Sequence, residues 1–595
     1  MKRALVVILA ALGSLLILFV LFFVAMSWAV MSPTPVPGQI VLEYDVRDGV
    51  VEAVPNDPFA LAFERRRVRV RDLVEALEVA ADDRRVRGLL VRGGPGPGGW
   101  AWTEEMREAV LAFRESGKPA VLFAESFGEF GAGQAGYFLA AAFDEVILQP
   151  SGEVGLVPLV ADVPFFGEMF EKLEVTPRFD AREEYKDATE MLTRSGFSEA
   201  SREANEALLT SILDILVEGV ASGRGLSPDS VRTLVAGGPW LAEAALEAGL
   251  VDRLGYVNDA RDRIEELTEG AREYLTLARY NERRREGWNR GPRVALIHGV
   301  GAIQQGRGGF DPLFGSSALG SDRVAGHIRQ AIEDDRVRAI LFRVDSPGGS
   351  WIASDQVRRE LERAREAGKP VVVSMSNAAA SGGYLIAAPA DRIVALPSTI
   401  TGSIGVAAGR FVTRDLWARF GIEWDRIAVG GEEAWFTGVD DFSDEEWARF
   451  SATLDHIYDE FLRHVAEGRG RTVEEIRPVA KGRVWSGRDA HELGLVDALG
   501  GLGTALDELR NLLELEPGAP LQVVDLPAER TFFQVLLEDG WWMAVRSRGG
   551  AGVEATELEP FLRPARELLV EAGEAGLLGG AWGPVRMPPI RIPAP

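Results

Sequence analysis

The chain has 595 residues, more than one hydrophobic core usually serves, so we expect at least two domains. Its formal net charge of −25 argues against nucleic acid as a partner. It contains no cysteine, which excludes disulfides, thiolate catalysis and cysteine-ligated metals. Its five histidines are scattered without metal-ligand spacing, and we expect neither a metal nor a cofactor.

The N-terminus predicts a transmembrane anchor. Lys2 and Arg3 precede an uncharged apolar run at 4–31, longer than the roughly 20 residues that cross a bilayer as a helix. No basic residue follows before Arg47, which predicts a cytoplasmic N-terminus and a body on the extracytoplasmic side. A cleaved signal peptide is the alternative, although its apolar region would usually be about half as long. The proline-rich residues 32–39 predict a spacer.

The remainder contains an internal repeat. The stretch DDRRVRGLLVR at 82–92 returns at 334–343 as DDRVRAILFR. Other pairs follow in the same order, namely GKP at 117–119 and 368–370, GYFLAAAFD at 136–144 and GYLIAAPAD at 383–391, and GLVD at 249–252 and 494–497. The sequence therefore predicts two copies of one domain, 40–265 and 292–500, with a linker at 266–291 and a C-terminal extension at 501–595.

Each copy alternates strand-like apolar runs with amphipathic stretches. In the second copy the strand-like runs are at 294–297, 339–344, 371–373 and 393–396. Helical periodicity lies between them, as at 323–332 and 354–367. This alternation predicts an α/β fold with a largely parallel core, whose sites lie beyond the carboxyl ends of strands. In the extension, 521–526 predicts one more strand, and apolar helical pieces are predicted at 532–545 and 561–578.

A candidate nucleophile lies in the second copy. After the strand at 371–373 comes a small-residue tract, NAAASGG at 377–383, and then an apolar helix. Ser381 is therefore predicted at a strand-to-helix turn, where a hydroxyl can act as a nucleophile and the first helical N–H groups can bind an oxyanion. A serine that only caps the helix is the alternative.

A second glycine-containing turn follows the strand at 339–344. In DSPGG at 345–349, Gly348 and Gly349 can present backbone N–H groups as the other half of an oxyanion hole. An ordinary turn would have the same composition.

The two copies differ where chemistry is possible. The position equivalent to Ser381 is Gln134 in the first copy, which therefore lacks the hydroxyl. Conversely, Lys186 of the first copy has no basic counterpart in the second. Lysine occurs only six times in the chain, and unlike arginine a buried lysine can lose its proton and act as a general base. An accidental surface lysine is the alternative.

Four motifs together resemble the long, duplicated form of the S49 peptidases, the signal peptide peptidases. They are ASGGY at 380–384, DSPGG at 345–349, TGSIG at 401–405 and YK at 185–186. The resemblance implies two tandem ClpP/crotonase-like domains with spiral β-β-α units, and a serine endopeptidase with a Ser/Lys dyad. By motif, it implies Ser381 as nucleophile, Lys186 as general base, Ser403 as the hydroxyl that orients the amine, and Gly382 with Gly348 or Gly349 as the oxyanion hole.

The same resemblance implies partners and a location. It predicts a homotetramer on the outer face of the cytoplasmic membrane, held in the bilayer by a single span at 4–31. Hydrophobic peptides such as cleaved signal peptides would be its substrates.

Three alternatives remain open on the sequence. A Ser/His/Asp triad would need a histidine, for which His298 at a predicted strand end is the best candidate. The chain could also be a catalytically dead membrane scaffold, or a non-proteolytic acyl-transfer enzyme of the same fold. The latter would need a basic pocket large enough for coenzyme A, and the sequence indicates none.

Overall fold

The structure is a computed structural model that describes residues 36–54, 67–284, 287–311, 316–430, 437–528 and 585–586. The predicted anchor at 4–31 and the helical pieces predicted at 532–545 and 561–578 lie outside these residues. Within the described part of the chain, no helix combines the length and the apolar character needed to cross a bilayer.

A six-stranded sheet organises the first unit, residues 36–284. All its neighbouring strands are parallel, and their order from edge to edge is Arg253–Leu254, Glu145–Leu148, Ala120–Ala124, Val86–Arg92, Ile40–Asp45 and Glu273–Thr276. The main helices of the unit are Val70–Asp82, Trp100–Glu115, Gln134–Ala140, Glu199–Arg224, Pro228–Gly237, Ala242–Glu247, Val257–Leu267 and Leu277–Arg283. Because helices cover both faces, the central strand Ala120–Ala124 is buried along its whole length.

An eight-stranded sheet organises the second unit, residues 287–528. Its main path is Val484–Ser486, Ile400–Gly402, Val371–Ala380, Val337–Ser346, Arg293–Val300 and Gln522–Leu526, and Arg392–Ala395 joins Val371–Ala380 to Ala498–Leu499. All pairs are parallel except that of Val484–Ser486 with Ile400–Gly402. The main helices are Ser321–Glu333, Trp351–Glu366, Gly382–Ala387, Arg414–Arg419, Asp444–Arg469, Val473–Ile476, Gly487–Glu492 and Leu502–Leu512. The predicted α/β fold with a largely parallel core is confirmed.

The boundaries of the two units differ from those predicted. The strand Glu273–Thr276 lies in the predicted linker, yet it forms an edge of the first sheet beside Ile40–Asp45. The strand Gln522–Leu526, predicted in the C-terminal extension, forms the edge of the second sheet. The sequence predicts the second of these strands, at 521–526, but only the pairing partners show to which sheet an edge strand belongs.

The repeat is visible in the structure as well as in the sequence. Each unit has one helix of 26 residues, Glu199–Arg224 and Asp444–Arg469, which starts after a capping serine and ends at a glycine in the left-handed conformation. The hydroxyl of Tyr137 donates to the Leu250 carbonyl at 2.6 Å, and Tyr384 makes the same bond to Leu495 at 2.8 Å. The two units therefore share packing as well as element order.

Smaller sheets connect the units and flank the second one. Thr176–Ala181 of the first unit pairs antiparallel with Ala407–Val412 of the second and forms a two-stranded ribbon between them. A further sheet has the strand order Gly308–Asp311, Ser316–Gly320, Ala302–Gln304, Gly348–Gly349 and Val585–Arg586. The remaining pairs are Val50–Val51 with Val68–Arg69 and Glu153–Val154 with Trp240–Leu241, and the short helices are Gly167–Lys172 and Glu190–Thr193 with the 3₁₀ turns Val46–Asp48, Asp187–Thr189 and Arg477–Val479.

A buried ion cluster also joins the two units. The side chain of Arg343 in the second sheet is fully buried, and it donates to Glu52 at 2.7 Å and to Glu105 at 2.5 Å, both from the first unit. Burial alone would raise the pKa of Glu52, but the Arg343 charge and the hydrogen bonds from Arg343 and Ser376 together hold that pKa below its usual value. Glu105 also accepts the N–H of Leu502 at 2.6 Å, at the start of a helix. One arginine thus pairs with two buried carboxylates across the interface, and burial raises the pKa of the second, Glu105.

Candidate active site

Lys186 and Ser381 meet at the interface between the two units. They are 195 positions apart in the chain, and the Nζ of Lys186 lies 2.9 Å from the Oγ of Ser381. The side chains are buried: Lys186 is 3% exposed and Ser381 is not exposed at all. The structure therefore brings together the two candidate residues that the sequence divides between its copies.

Ser381 lies at a sharp turn between a strand and a helix. The strand Val371–Ala380 reaches it directly, which is seven residues longer than predicted, because the small residues at 378–380 pair with Ile400–Gly402. Its backbone has φ 56° and ψ −116°, a conformation that a serine adopts only under constraint. The side chain makes no capping hydrogen bond to the helix Gly382–Ala387, so the interpretation of Ser381 as a simple helix cap is wrong.

The backbone around Ser381 is held from the neighbouring strand. The N–H of Ser381 donates to the carbonyl of Gly402 at 2.8 Å. The next residue, Ser403, also has a positive φ of 51°. Its carbonyl accepts a hydrogen bond from Lys186 Nζ at 2.9 Å, and its hydroxyl lies 3.0 Å from the same nitrogen. One strand end therefore fixes both the nucleophile backbone and the amine.

The environment of Lys186 favours an uncharged amine. Burial lowers the pKa of Lys186 to about 7, and the Asp187 carboxylate opposes that shift. Burial likewise raises the pKa of Asp187 to about 6, against the hydrogen bond that Ser201 donates to it. Within the described residues, the hydrogen-bond partners of Lys186 Nζ are serine oxygens and not carboxylates. Near neutral pH, a substantial fraction of this lysine is therefore unprotonated.

The two glycines proposed for the oxyanion hole differ in where their N–H groups point. The N–H of Gly348 donates to Ser346 Oγ at 3.2 Å, so it has a partner. The carbonyl of Ile303 accepts a hydrogen bond from the N–H of Ser350. Adjacent N–H groups of a strand point to opposite edges, so the N–H of Gly349 points away from Ile303. A Cβ built on Gly382 would lie 3.3 Å from the Gly349 nitrogen. Gly349 and Gly382 thus place their backbones side by side at the nucleophile.

Ser346 is a site residue that sequence reasoning missed. Its hydroxyl donates to the Gly301 carbonyl at 2.7 Å while it accepts the N–H of Gly348. It thereby fixes the turn that leads to Gly349. The signal was present in the DSPGG motif, but spacing alone does not show which of its residues point inward.

His298 lies elsewhere. Its Nε2 is 3.6 Å from Asp525 Oδ1, and both residues line a cavity of about 600 Å³ at the carboxyl ends of two parallel strands. Neither Ser381 nor Lys186 lines this cavity, and no hydrogen bond joins His298 to Ser381. The structure therefore does not assemble the alternative Ser/His/Asp triad.

In the first unit, the position equivalent to Ser381 is occupied by Gln134. Gln134 is buried, and its side-chain amide donates to the carbonyl of Val157 at 2.9 Å. Here an amide occupies the place where the second unit has its serine hydroxyl, so the first unit lacks a nucleophile.

Comparison with known proteins identifies the family. Two segments of the chain, 112–270 and 363–516, match the model of peptidase family S49. The chain belongs to peptidase family S49. This S49 peptidase is 31% identical over 469 residues to the chloroplastic serine protease SPPA of Arabidopsis thaliana. The aligned region covers 77% of this chain and 68% of that protein.

Bacterial relatives give the same result. The S49 peptidase is 32% identical to Protease 4 of Salmonella typhi over 75% of this chain and 72% of that protein. It is 29% identical to Protease 4 of Haemophilus influenzae over 77% and 75%. Both copies of the repeat contribute to the family match, and the chain is accordingly a serine-type peptidase of the long, duplicated kind.

Proposed function

We propose that this S49 peptidase is a membrane-anchored endopeptidase in which Lys186 acts as general base toward Ser381. The observation that carries the proposal is the 2.9 Å contact between Lys186 Nζ and Ser381 Oγ in a buried site. A lysine with a pKa near 7 can accept a proton at neutral pH, which an exposed lysine with a pKa near 10.4 cannot do efficiently.

The contacts support a two-step acyl transfer. The neutral amine of Lys186 accepts the Ser381 hydroxyl proton while Oγ attacks the peptide carbonyl carbon. The N–H groups of Gly382 and Gly349 stabilise the oxyanion, and the Lys186 ammonium then donates its proton to the leaving amine. Water attacks the resulting ester, with Lys186 again as base, and releases the second product. Ser403 holds the amine in place throughout by its carbonyl and hydroxyl oxygens.

Extended hydrophobic peptides, such as cleaved signal peptides, are the proposed substrates. The strand Gly348–Gly349 forms an antiparallel pair with Val585–Arg586, which illustrates that its edge accepts an extended chain. A peptide bound in the same way would pass its backbone alongside Gly349, within reach of the nucleophile. Small and apolar residues surround the site, including the buried Ala379, Ala380 and Ile404.

Membrane attachment and assembly complete the proposal. The apolar run at 4–31 would span the cytoplasmic membrane once, with the N-terminus inside and the catalytic units, each a ClpP/crotonase-like domain, outside. We also propose assembly into a homotetramer, in which contacts between copies would cover the exposed apolar side chains at Phe420, Ile427 and Val429. Sedimentation of the full chain in detergent tests this assembly, and a monomer would contradict it.

The direct test of the function is cleavage of a hydrophobic peptide by the purified full chain in detergent. We expect cleavage at internal peptide bonds by the wild type and none by Ser381→Ala. An acidic peptide of the same length is the substrate control. No cleavage of either peptide by the wild type would contradict the proposed activity and favour a scaffold.

The oxyanion assignment is tested at Gly349. Gly349→Ala keeps the backbone N–H but displaces it, and we expect kcat to fall by about 10²- to 10³-fold, the loss typical when one oxyanion donor no longer reaches the oxyanion. An added Cβ would lie 2.1 Å from the Ile303 carbonyl oxygen, so the strand must shift. Gly309→Ala is the matched control, because Gly309 lies in the same small sheet with nothing within 4 Å of an added Cβ. Equal kinetics for the two variants would show that Gly349 is not a donor.

A further inference from the structure

We propose that the turn at 480–483 of the second unit, here called the clamp turn, holds the backbone of the catalytic lysine in place. Within this turn, Gly482 is the residue that positions the lysine. This inference rests on the proposed function, since it takes Lys186 as the general base. The lysine belongs to the first unit and the serine to the second. The ribbon of Thr176–Ala181 with Ala407–Val412 joins the two units nearby but ends before it reaches Lys186. The distance between the two backbones must therefore also be fixed at the lysine itself.

The clamp turn bonds to both segments that hold the amine. The carbonyl of Arg483 accepts the N–H of Ser403 at 2.7 Å, and the N–H of Gly482 donates to the carbonyl of Ile404 at 2.8 Å. On its other side, the carbonyl of Lys481 accepts the N–H of Tyr185 at 3.2 Å, one residue before the catalytic lysine. A single turn thus links the residue that precedes Lys186 to the serine that holds its amine.

Gly482 sets how closely the two backbones approach. A Cβ built on Gly482 would lie 2.5 Å from both the N and the Cβ of Lys186, and 2.7 Å from its Cα. Gly482 also has φ 78°, a region that residues with a side chain rarely adopt. The contact is with the backbone of Lys186, so the clash could not be relieved by rotating a flexible side chain. Even an alanine here must displace the lysine.

Two ion pairs lie at the clamp turn, one formed by Lys481 within it and one by Arg477 just before it. Lys481 Nζ lies 2.6 Å from Glu184, and Arg477 lies 3.3 Å from Glu183. All four side chains are partly exposed, and such pairs contribute little individually. The close packing at Gly482 and the backbone hydrogen bonds are therefore what position the lysine, and the ion pairs add only to the docking of the loop.

The test compares Gly482→Ala with Gly368→Ala. Both glycines have nearly the same positive φ, 78° and 75°, but an added Cβ on Gly368 meets nothing within 4 Å. The control therefore reproduces the backbone strain without the clash. For Gly482→Ala we expect kcat to fall about 100-fold with KM changed less than about twofold, since misplacement by about 1 Å has an effect of this size. For Gly368→Ala, we expect both constants within about twofold of the wild type.

A pH profile separates positioning from a general structural defect. A displaced Lys186 should be less buried, which raises the pKa of its amine towards the ordinary value. The acidic limb of the kcat profile should therefore lie at higher pH in Gly482→Ala than in the wild type. If Gly482→Ala does not fold, Gly405→Ala replaces it. Its added Cβ would press on the same turn more gently, 2.9 Å from the Gly482 Cα, and we expect a smaller loss of kcat with the same shift in pH.

The outcomes distinguish this inference from the function it rests on. Suppose that Gly482→Ala matches Gly368→Ala in kcat and pH profile while Lys186→Ala is inactive. The positioning role of Gly482 is then wrong, and the role of Lys186 as general base is retained. If Lys186→Ala is fully active, the dyad itself fails. A change in KM alone at Gly482 would also overturn the positioning role.

Discussion

Lys186→Met is expected to lower kcat/KM by at least about 10³-fold, because it removes the base that deprotonates Ser381. Lys186→Arg should be equally inactive, since an arginine keeps its proton in proteins. Because burying an amine is unfavourable, the methionine variant should be no less stable than the wild type, as measured by its melting temperature. Lys172→Met is the matched control, because the Lys172 side chain is 78% exposed and faces Glu168. Its kinetics should equal those of the wild type.

The two dyad residues should act as a unit. If so, the double variant Lys186→Met, Ser381→Ala will be about as inactive as either single variant, as expected when one residue works only through the other. The measurement is a double-mutant cycle, in which steady-state rates on a hydrophobic peptide are compared for the wild type, the two single variants and the double variant. Losses that multiply in the double variant would show that the two side chains contribute independently, contrary to the proposed mechanism.

Arg343→Met is the second change with a large expected effect, this time on stability. It leaves Glu52 and Glu105 buried side by side without their counter-charge, and breaking a buried ion pair in this way costs about 3–5 kcal/mol. The urea midpoint of unfolding should fall accordingly. Arg336→Met is the control, since the Arg336 side chain is 76% exposed and its pair with Asp334 is a surface pair.

A second substitution tests the cause of the Arg343 effect. Adding Glu52→Gln to Arg343→Met removes one of the two unpaired charges, and we expect it to recover part of the lost stability. If the double variant is less stable than Arg343→Met, lost packing and not unpaired charge explains the destabilisation.

Local patterns explain why much of the architecture could be predicted. The strands at 294–297, 339–344, 371–373 and 393–396 were identifiable because buried parallel strands are continuous apolar runs. The strand-to-helix turn at Ser381 followed from a short tract of small residues between such a strand and an apolar helix. The internal repeat then showed which positions differ between the copies, and this comparison selected Ser381 and Lys186.

Features that depend on distant partners could not be predicted. Arg343 and Glu52 are 291 positions apart, and neither side chain stands out from the many charged residues in the sequence. The extension of a strand to Ala380 depends on pairing with Ile400–Gly402, and the small residues involved have low strand propensity. The sequence does not single out Gly482, because its importance comes from contact with the Lys186 backbone, almost 300 residues earlier.

The reaction of Ser381 with a fluorophosphonate probe, measured against pH, tests the central claim most directly. In the wild type, we predict a labelling rate that falls about tenfold per pH unit below about pH 7 and is level above it, because the Lys186 amine is protonated at lower pH. In Lys186→Ala this limb should be absent and the rate low throughout. Labelling of Lys186→Ala at the wild-type rate, with the wild-type dependence on pH, would contradict the claim that this lysine activates the serine.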